Sequence, residues 1–130
     1  MSDELKLVFV GFFSELGFPE GESMIEHLET CPAVARSALA NYLNSGTVVV
    51  STMGWVDDVF DSSMTRVSGF GIVSDGQFVW PEALPYYVEN YGVSVDDRLR
   101  ERAEDLGLAT PLSDDELEQL EQRIFGNSKT

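Results

Sequence analysis

Asp75-Gly76, set between two apolar runs, constrains this chain more than any other feature. A type I′ turn needs φ > 0 at both central residues, and Asp-Gly is one of the few pairs that accept it, so the dipeptide predicts a β-hairpin. Folding there pairs Val73 with Phe78, Ile72 with Val79 and Gly71 with Trp80. Pro81 has no N–H to donate and ends the ladder. Pro85 suits the first turn of a short helix carrying Tyr86, Tyr87 and Tyr91, and Gly92 suits its left-handed end. Aromatic mass this dense needs cover from elements on both sides, so Ser68 to Gly92 is expected to be the structural centre.

Upstream, Leu5, Val8, Phe9, Phe12 and Leu16 recur at helical spacing and predict a first helix capped by Ser2 and stopped at Gly17, although Val8 to Val10 also suit a strand. Ser23 with Glu26 reads as a capping box opening a short helix through Leu28. Pro32 opens another, with Val34, Ala38, Leu39 and Tyr42 on one face and Gly46 beyond its end. From Thr47 the period becomes extended. Thr47 to Met53 is rich in β-branched residues, Gly54 marks a turn or bulge before Trp55 to Phe60, and a further strand lies near Val67 to Val73. Downstream, Ser94 with Asp97 opens a helix ending at Gly107, and Ser113 with Glu116 opens a last one with the stripe Leu117, Leu120, Ile124. Helices, then strands, then helices imply an α+β fold: an antiparallel sheet of about four strands flanked by N-terminal and C-terminal helices. Residues 1–126 read as a single globular domain and 127–130 as a frayed C-terminal tail.

Charge narrows the functional classes. The 23 acidic residues against eight Lys and Arg give a formal net charge of −15. Such a surface is soluble and steers cationic partners toward it. Direct nucleic-acid binding is disfavoured, because phosphate neutralisation requires Lys and Arg, and an anionic membrane surface is disfavoured for the same reason. One Cys, Cys31, excludes an internal disulfide. The apolar run Leu7 to Phe13 is far too short for a membrane span and follows Asp3 and Glu4 rather than a basic leader, so a cytoplasmic protein is expected.

No reaction is declared by the sequence. His27-Leu28-Glu29 followed by Cys31-Pro32 has the flavour of a zinc deaminase site, but that chemistry needs three protein ligands and a paired Cys-x-x-Cys. A nucleophile–base pair from His27 and Cys31 is interrupted by Pro32, with no third group. Gly69-Phe70-Gly71 lacks the third Gly and the following helix of a phosphate cradle. Asp57, Asp58 and Asp61 lack the Gly at the sixth and the Glu at the twelfth position of an EF-hand loop. The expectation is a protein that is not an enzyme and has no metal or other cofactor.

What remains are surfaces. Trp55, Asp57, Asp58 and Asp61 place an aromatic ring beside three negative charges, with Tyr86 as a neighbour pointing away from the core that Tyr87 and Tyr91 enter. The same residues also fit an edge strand that uses charge to block aggregation. Asp114 to Glu121 read as a solvated helix face with favourable charge at its N-terminus. The stretch Ser74-Asp75-Gly76, Phe78-Val79-Trp80-Pro81, Leu84-Pro85-Tyr86-Tyr87-Val88 and Tyr91, with Tyr42 to Gly46 and Met53 to Asp58 before it, resembles a group of small acidic bacterial proteins. Several of these look like immunity proteins of polymorphic toxin systems, which bind and block a cognate toxin domain. The resemblance covers about Leu43 to Leu99 and carries no catalytic residues.

The resemblance implies a stoichiometric toxin inhibitor, and the net charge points to a basic toxin domain such as a nuclease or a nucleic-acid deaminase. The aromatic-plus-acid pattern makes Trp55, Asp57, Asp58, Asp61 and Tyr86 the expected partner-binding residues. The alternatives are a nucleic-acid mimic acting on a DNA-binding protein, or an enzyme with a carboxylate or metal site that the motifs do not reveal. A structural zinc would contribute directly to folding, so metal removal discriminates. The thermal melt of the purified chain followed by circular dichroism is expected to be unchanged by chelator, and a lowered melting temperature would restore the metal reading.

Overall fold

The computed structural model describes residues 7–18 and 21–125, so Ser2 and the tail at 127–130 lie outside the described residues. Among these, four strands form one sheet: β1 (Val8–Phe9), β2 (Thr47–Val56), β3 (Ser68–Ser74) and β4 (Phe78–Pro81), in the order β1-β4-β3-β2. Around it lie α1 (Ala33–Asn44), α2 (Leu84–Tyr91), α3 (Asp97–Leu106) and α4 (Asp114–Phe125), with short 3₁₀ turns at Ser14–Leu16 and Met24–His27. The fold is α+β with helices flanking the sheet. The β2–β3 and β3–β4 pairs are antiparallel, and β1 adds a short parallel pairing to β4 that makes the sheet mixed.

Of the helix expected over Leu5 to Leu16, the described residues instead form this parallel strand and the 3₁₀ turn at Ser14–Leu16, and Leu5 lies outside the described residues. Val8 donates to the Gln77 carbonyl at 2.9 Å and Val10 to that of Val79 at 2.8 Å, so the β-branched residues complete the sheet edge. Gly11, at φ +81°, then turns the chain where a side chain would strike Leu84. Periodicity alone could not weigh a local helix against a waiting sheet edge.

The hairpin forms, but its ladder is shifted by two residues. Val73 pairs with Trp80, Ile72 with Pro81 and Ser74 with Val79. The cause is the Asp75 side chain, whose Oδ1 accepts from the N–H groups of Gln77 (3.0 Å) and Phe78 (2.8 Å) and so widens the turn beyond two residues. Ser74 Oγ adds a bond to the Phe78 carbonyl (2.7 Å) and accepts from Gly76 N–H (2.9 Å). Because side chains alternate with period two, a shift of two keeps each on its expected face.

Trp55 to Phe60 is not a separate strand. β2 continues through Gly54, at φ +111°, to Val56, with register breaks between Val48 and Val50 and between Thr52 and Trp55, and the chain leaves the sheet at Asp57. β2 is also an edge strand of the sheet, where such bulges discourage pairing with another chain.

The helical layer packs α1 against α2 and α3, while α4 lies against β2. Tyr42, Leu43, Phe78, Trp80, Leu84, Tyr87 and Leu99 fill the core, and Trp80 Nε1–H donates to the Leu43 carbonyl at 3.2 Å. The apolar face of α1 is Leu39, Ala40, Tyr42 and Leu43, whereas Val34 and Ala38 are exposed on the opposite side. Gly46 serves close approach: a Cβ there would lie 2.7 Å from Val73 and 2.8 Å from Trp80.

Helix ends follow local chemistry with two exceptions. Ser113 and Glu116 form the reciprocal capping box, at 3.1 and 2.9 Å, and Gly92 closes α2 in the left-handed conformation. Ser23 caps its turn, but the carboxylate that answers it belongs to Glu15, bonded to Ser23 Oγ and Met24 N–H, rather than to Glu26. α3 is capped by Asp96 rather than Ser94, the aspartate accepting from Arg98 N–H at 2.8 Å.

Gly76 holds φ +104° in the turn that fixes the sheet. Gly76→Val is expected to destabilise the fold by about 1 kcal/mol or more, since a β-branched residue resists that conformation. Thermal or urea unfolding checks it, and an unchanged midpoint would contradict this turn geometry.

Candidate functional site

Leaving β2, the chain forms a loop over residues 57–67 that is pinned from within and from α2. Asp57 Oδ1 accepts from Arg66 N–H at 3.0 Å, where Arg66 adopts φ +54°. Asp61 Oδ1 accepts from Ser63 N–H and Oγ–H, at 3.0 and 2.6 Å. Asp58 is only 4% exposed and is fully engaged. Its Oδ1 accepts from Phe60 and Asp61 N–H, at 2.7 and 3.0 Å, and its Oδ2 from the hydroxyls of Tyr86 and Tyr91, at 2.7 and 2.6 Å. Tyr87 Oη accepts from Val59 N–H at 2.9 Å, and Phe60 rests its ring against Tyr87 and Tyr91.

These contacts set the electrostatics. Burial pushes the Asp58 carboxyl upward, but the Tyr91 and Tyr86 hydroxyls and two backbone N–H groups outweigh it and hold the group below the ordinary range. Tyr91 is pushed up to about 12, chiefly because its hydroxyl donates to Asp58, and Tyr86 is raised by burial and the same carboxylate.

The structure therefore divides the residues expected to bind a partner. Trp55, at 65% exposed, and the exposed Asp57 and Asp61 stand on the surface together at the end of β2. Asp58 does not, since its carboxylate points inward to support the loop. Tyr86 is half-buried and points to Asp58 rather than to solvent, and Tyr91 joins it there instead of entering the core. Apolar Val59 and Phe60 follow Trp55 in the sequence itself, but sequence reasoning did not single out Met53, Met64 and Phe70. Met53 is 96% exposed, and Val59, Phe60, Met64 and Phe70 are also exposed, so this one hairpin end holds six of the thirteen exposed large apolar side chains among the described residues. The available signal was Met53-Gly54-Trp55: a bulge at Gly54 takes its neighbours out of strict alternation, and a free-edge strand leaves them without cover.

Beside this patch lies a cleft of about 120 Å³, walled by Leu16, Phe18, Val56, Val59, Phe70 and Pro81. Carboxylates of Glu15, Asp57 and Glu82 stand at it. Glu15 and Asp57 are engaged by backbone N–H groups, but among the described residues none donates to the carboxylate of Glu82. Gly69 and Gly71 make room for that group: a Cβ on either would lie 2.8 Å from one of its oxygens.

Elsewhere, His27 is bracketed by Glu22, 3.1 Å from Nε2, and Ser94 Oγ, 3.4 Å from Nδ1, an order reminiscent of acid–base–nucleophile. The serine contact is long, and Ser94 N–H, which would help stabilise an oxyanion, is already spent on the His27 carbonyl at 3.2 Å. Cys31 is buried with its thiol toward the Pro32 carbonyl. Among the described residues no group of three or more His, Cys, Asp and Glu could hold a metal ion, and no helix is long and apolar enough to cross a membrane. Comparison with family models, curated proteins and solved structures finds no match to this chain.

Asp58 contributes stability through a depressed pKa, so that contribution is present above the unfolded value, about 3.9, and is lost as pH falls through the lower folded value. The difference in melting temperature between wild type and Asp58→Asn is expected to be steady near neutral pH and to narrow below about pH 4. A gap that stays constant into strong acid would show that the Asp58 charge contributes nothing to holding the loop.

Proposed function

We propose that this chain is an immunity-type protein that neutralises a cognate cationic bacterial toxin domain, a nuclease or nucleic-acid deaminase, by stoichiometric binding in the cytoplasm. The observation that carries the reading is the apolar hairpin end around Met53, Trp55 and Phe70, placed in a chain of net charge −15. A concentration of exposed apolar side chains on a strongly acidic protein favours a partner that is both apolar at its centre and basic at its rim. Asp57 and Asp61 supply acid beside the patch, and Asp58 acts indirectly by holding the loop that presents them.

The resemblance of the segment from Leu43 to Leu99 to immunity-type proteins supports the same class. Its hairpin and tyrosine helix are the elements that hold the loop carrying Asp57 and Asp61. The acidic first turn of α4, Asp114 to Glu116, would contribute to long-range attraction rather than to close contact.

The test is co-expression with the product of an adjacent reading frame, scored by rescue of growth and by a complex of one chain to one toxin domain. In surface plasmon resonance with that domain, Trp55→Ala is expected to weaken binding by about 2 kcal/mol or more, mainly through faster dissociation. Neutralising Asp114, Asp115 and Glu116 together is expected mainly to slow association, an effect that high salt masks. Strand variants that bind like wild type while the helix variant loses the complex would move the site to α4. A neighbouring product that neither binds nor is neutralised would count against the inhibitor reading itself.

A further inference from the structure

We infer that the cleft beside β3 is the seat for a basic side chain of the protein partner, with the Glu82 carboxylate as its counter-charge. The inference rests on the inhibitor reading and names what the partner must bring: a lysine or arginine projecting from a surface that meets Met53 and Trp55.

The shape argument comes first. A lysine or arginine is an apolar stem with a charged head, and it is held best where methylene groups meet apolar walls and the head meets an acid. Leu16, Phe18, Val56, Val59 and Phe70 supply the walls. Glu82 is set against β3 in the space that Gly69 and Gly71 leave open, and substituting either glycine would push the carboxylate away. A neutral apolar occupant would leave that acid desolvated without a partner, and an anionic one would be repelled by Glu82, Glu15 and Asp57 together.

The supply of counter-charge inside the chain argues the same way. Arg36, Arg98, Arg100 and Arg102 are engaged with Glu29, Asp96, Asp97 and Asp75, and neither they nor the exposed Arg66 and Arg123 line the cleft. Among the described residues the lining contains no cation, so a basic side chain brought by a partner would complement its three carboxylates. The cleft also adjoins the exposed patch directly, since Val59 and Phe70 belong to both. A partner that covers Trp55 would therefore pass over the opening.

The experiment uses the full chain, isotopically labelled, titrated with n-butylguanidinium and followed by amide chemical shifts. Butylurea, its uncharged counterpart, and tetramethylammonium, a charge without the stem, are run alongside. Saturable shifts confined to Val56, Gly69 to Gly71 and Glu82 to Ala83 are expected with butylguanidinium. Binding should be roughly tenfold or more weaker for butylurea and for Glu82→Gln, in keeping with loss of a charged hydrogen bond, and unchanged in Asp114→Asn. Equal binding of butylurea and butylguanidinium would overturn the assignment, a comparison that needs no variant. So would unsaturable shifts scattered over the acidic helices, or wild-type binding by Glu82→Gln. A chain that fails these tests yet still loses its toxin partner on Trp55→Ala keeps the inhibitor reading and loses this seat. A chain that passes them but has no cationic protein partner keeps the seat and loses the inhibitor reading.

Discussion

The Asp75 carboxylate joins the two layers of this protein. Its side chain is 1% exposed, and every oxygen is used. Oδ1 closes the hairpin turn through Gln77 and Phe78 N–H, while Oδ2 accepts from Tyr42 of α1 at 2.6 Å and from Arg102 of α3 at 3.0 Å. Burying a carboxylate is costly unless all its lone pairs find donors, and here the donors come from the turn and from two different helices. The turn cannot keep its shape if α1 or α3 is displaced, and neither helix can shift without leaving a buried charge exposed to an apolar interior. Trp80 and Tyr42, packed with ring centres 6.4 Å apart, fill the space next to that junction. Tyr42 is correspondingly hard to ionise, raised by burial and by the aspartate it serves.

The loop after β2 repeats the device with different donors. Asp58 takes two phenols from α2 and two backbone N–H groups, and no cation. The tyrosine helix is thereby fixed on the hairpin side by its own position after β4 and on the loop side by three hydroxyls. Trp55, Asp57 and Asp61 stand at the edge of this braced region, so the proposed contact surface is carried on a framework rather than on a free loop. A preorganised surface loses less conformational freedom when it binds.

Local chemistry was legible in the sequence wherever it was self-contained. Gly92 and the Ser113–Glu116 box act within a few residues and formed as read, as did the period change at Thr47, whereas the Asp75-Gly76 hairpin formed around a wider turn than the two-residue type I′ expected. What failed was competition at a distance. The segment around Val8 had a sheet edge available to it, and Ser23 found Glu15 rather than Glu26. The Asp75 side chain altered the hairpin register because its hydrogen bonds depend on how the turn is buried. In the candidate site, Asp57, Asp58 and Asp61 are indistinguishable by sequence. Asp58 alone is buried, because its partners Tyr86 and Tyr91 lie 28 and 33 residues away. The cleft was illegible for the same reason, since Leu16, Val56, Phe70 and Glu82 come together only in the fold.

In a chain with 23 acids and eight basic residues, the two buried carboxylates among the described residues, Asp58 and Asp75, are held with few cations. Phenols and backbone N–H groups are the solution here: they are neutral donors, so they satisfy an aspartate's lone pairs without cancelling its charge. Asp58 is held this way entirely and Asp75 mostly, with a single guanidinium. Four arginines remain tied to acids at α1 and α3, and the field beyond the surface stays negative. For the proposed inhibitor the two levels then separate. The uncancelled charge acts over a Debye length or so and governs how quickly a cationic partner arrives. The apolar hairpin end acts only in contact and governs how long the partner stays. Glu82 lies where the two meet, an acid against an apolar wall. A partner's basic side chain placed there would be attracted at a distance by the whole molecule and retained at close range by one carboxylate.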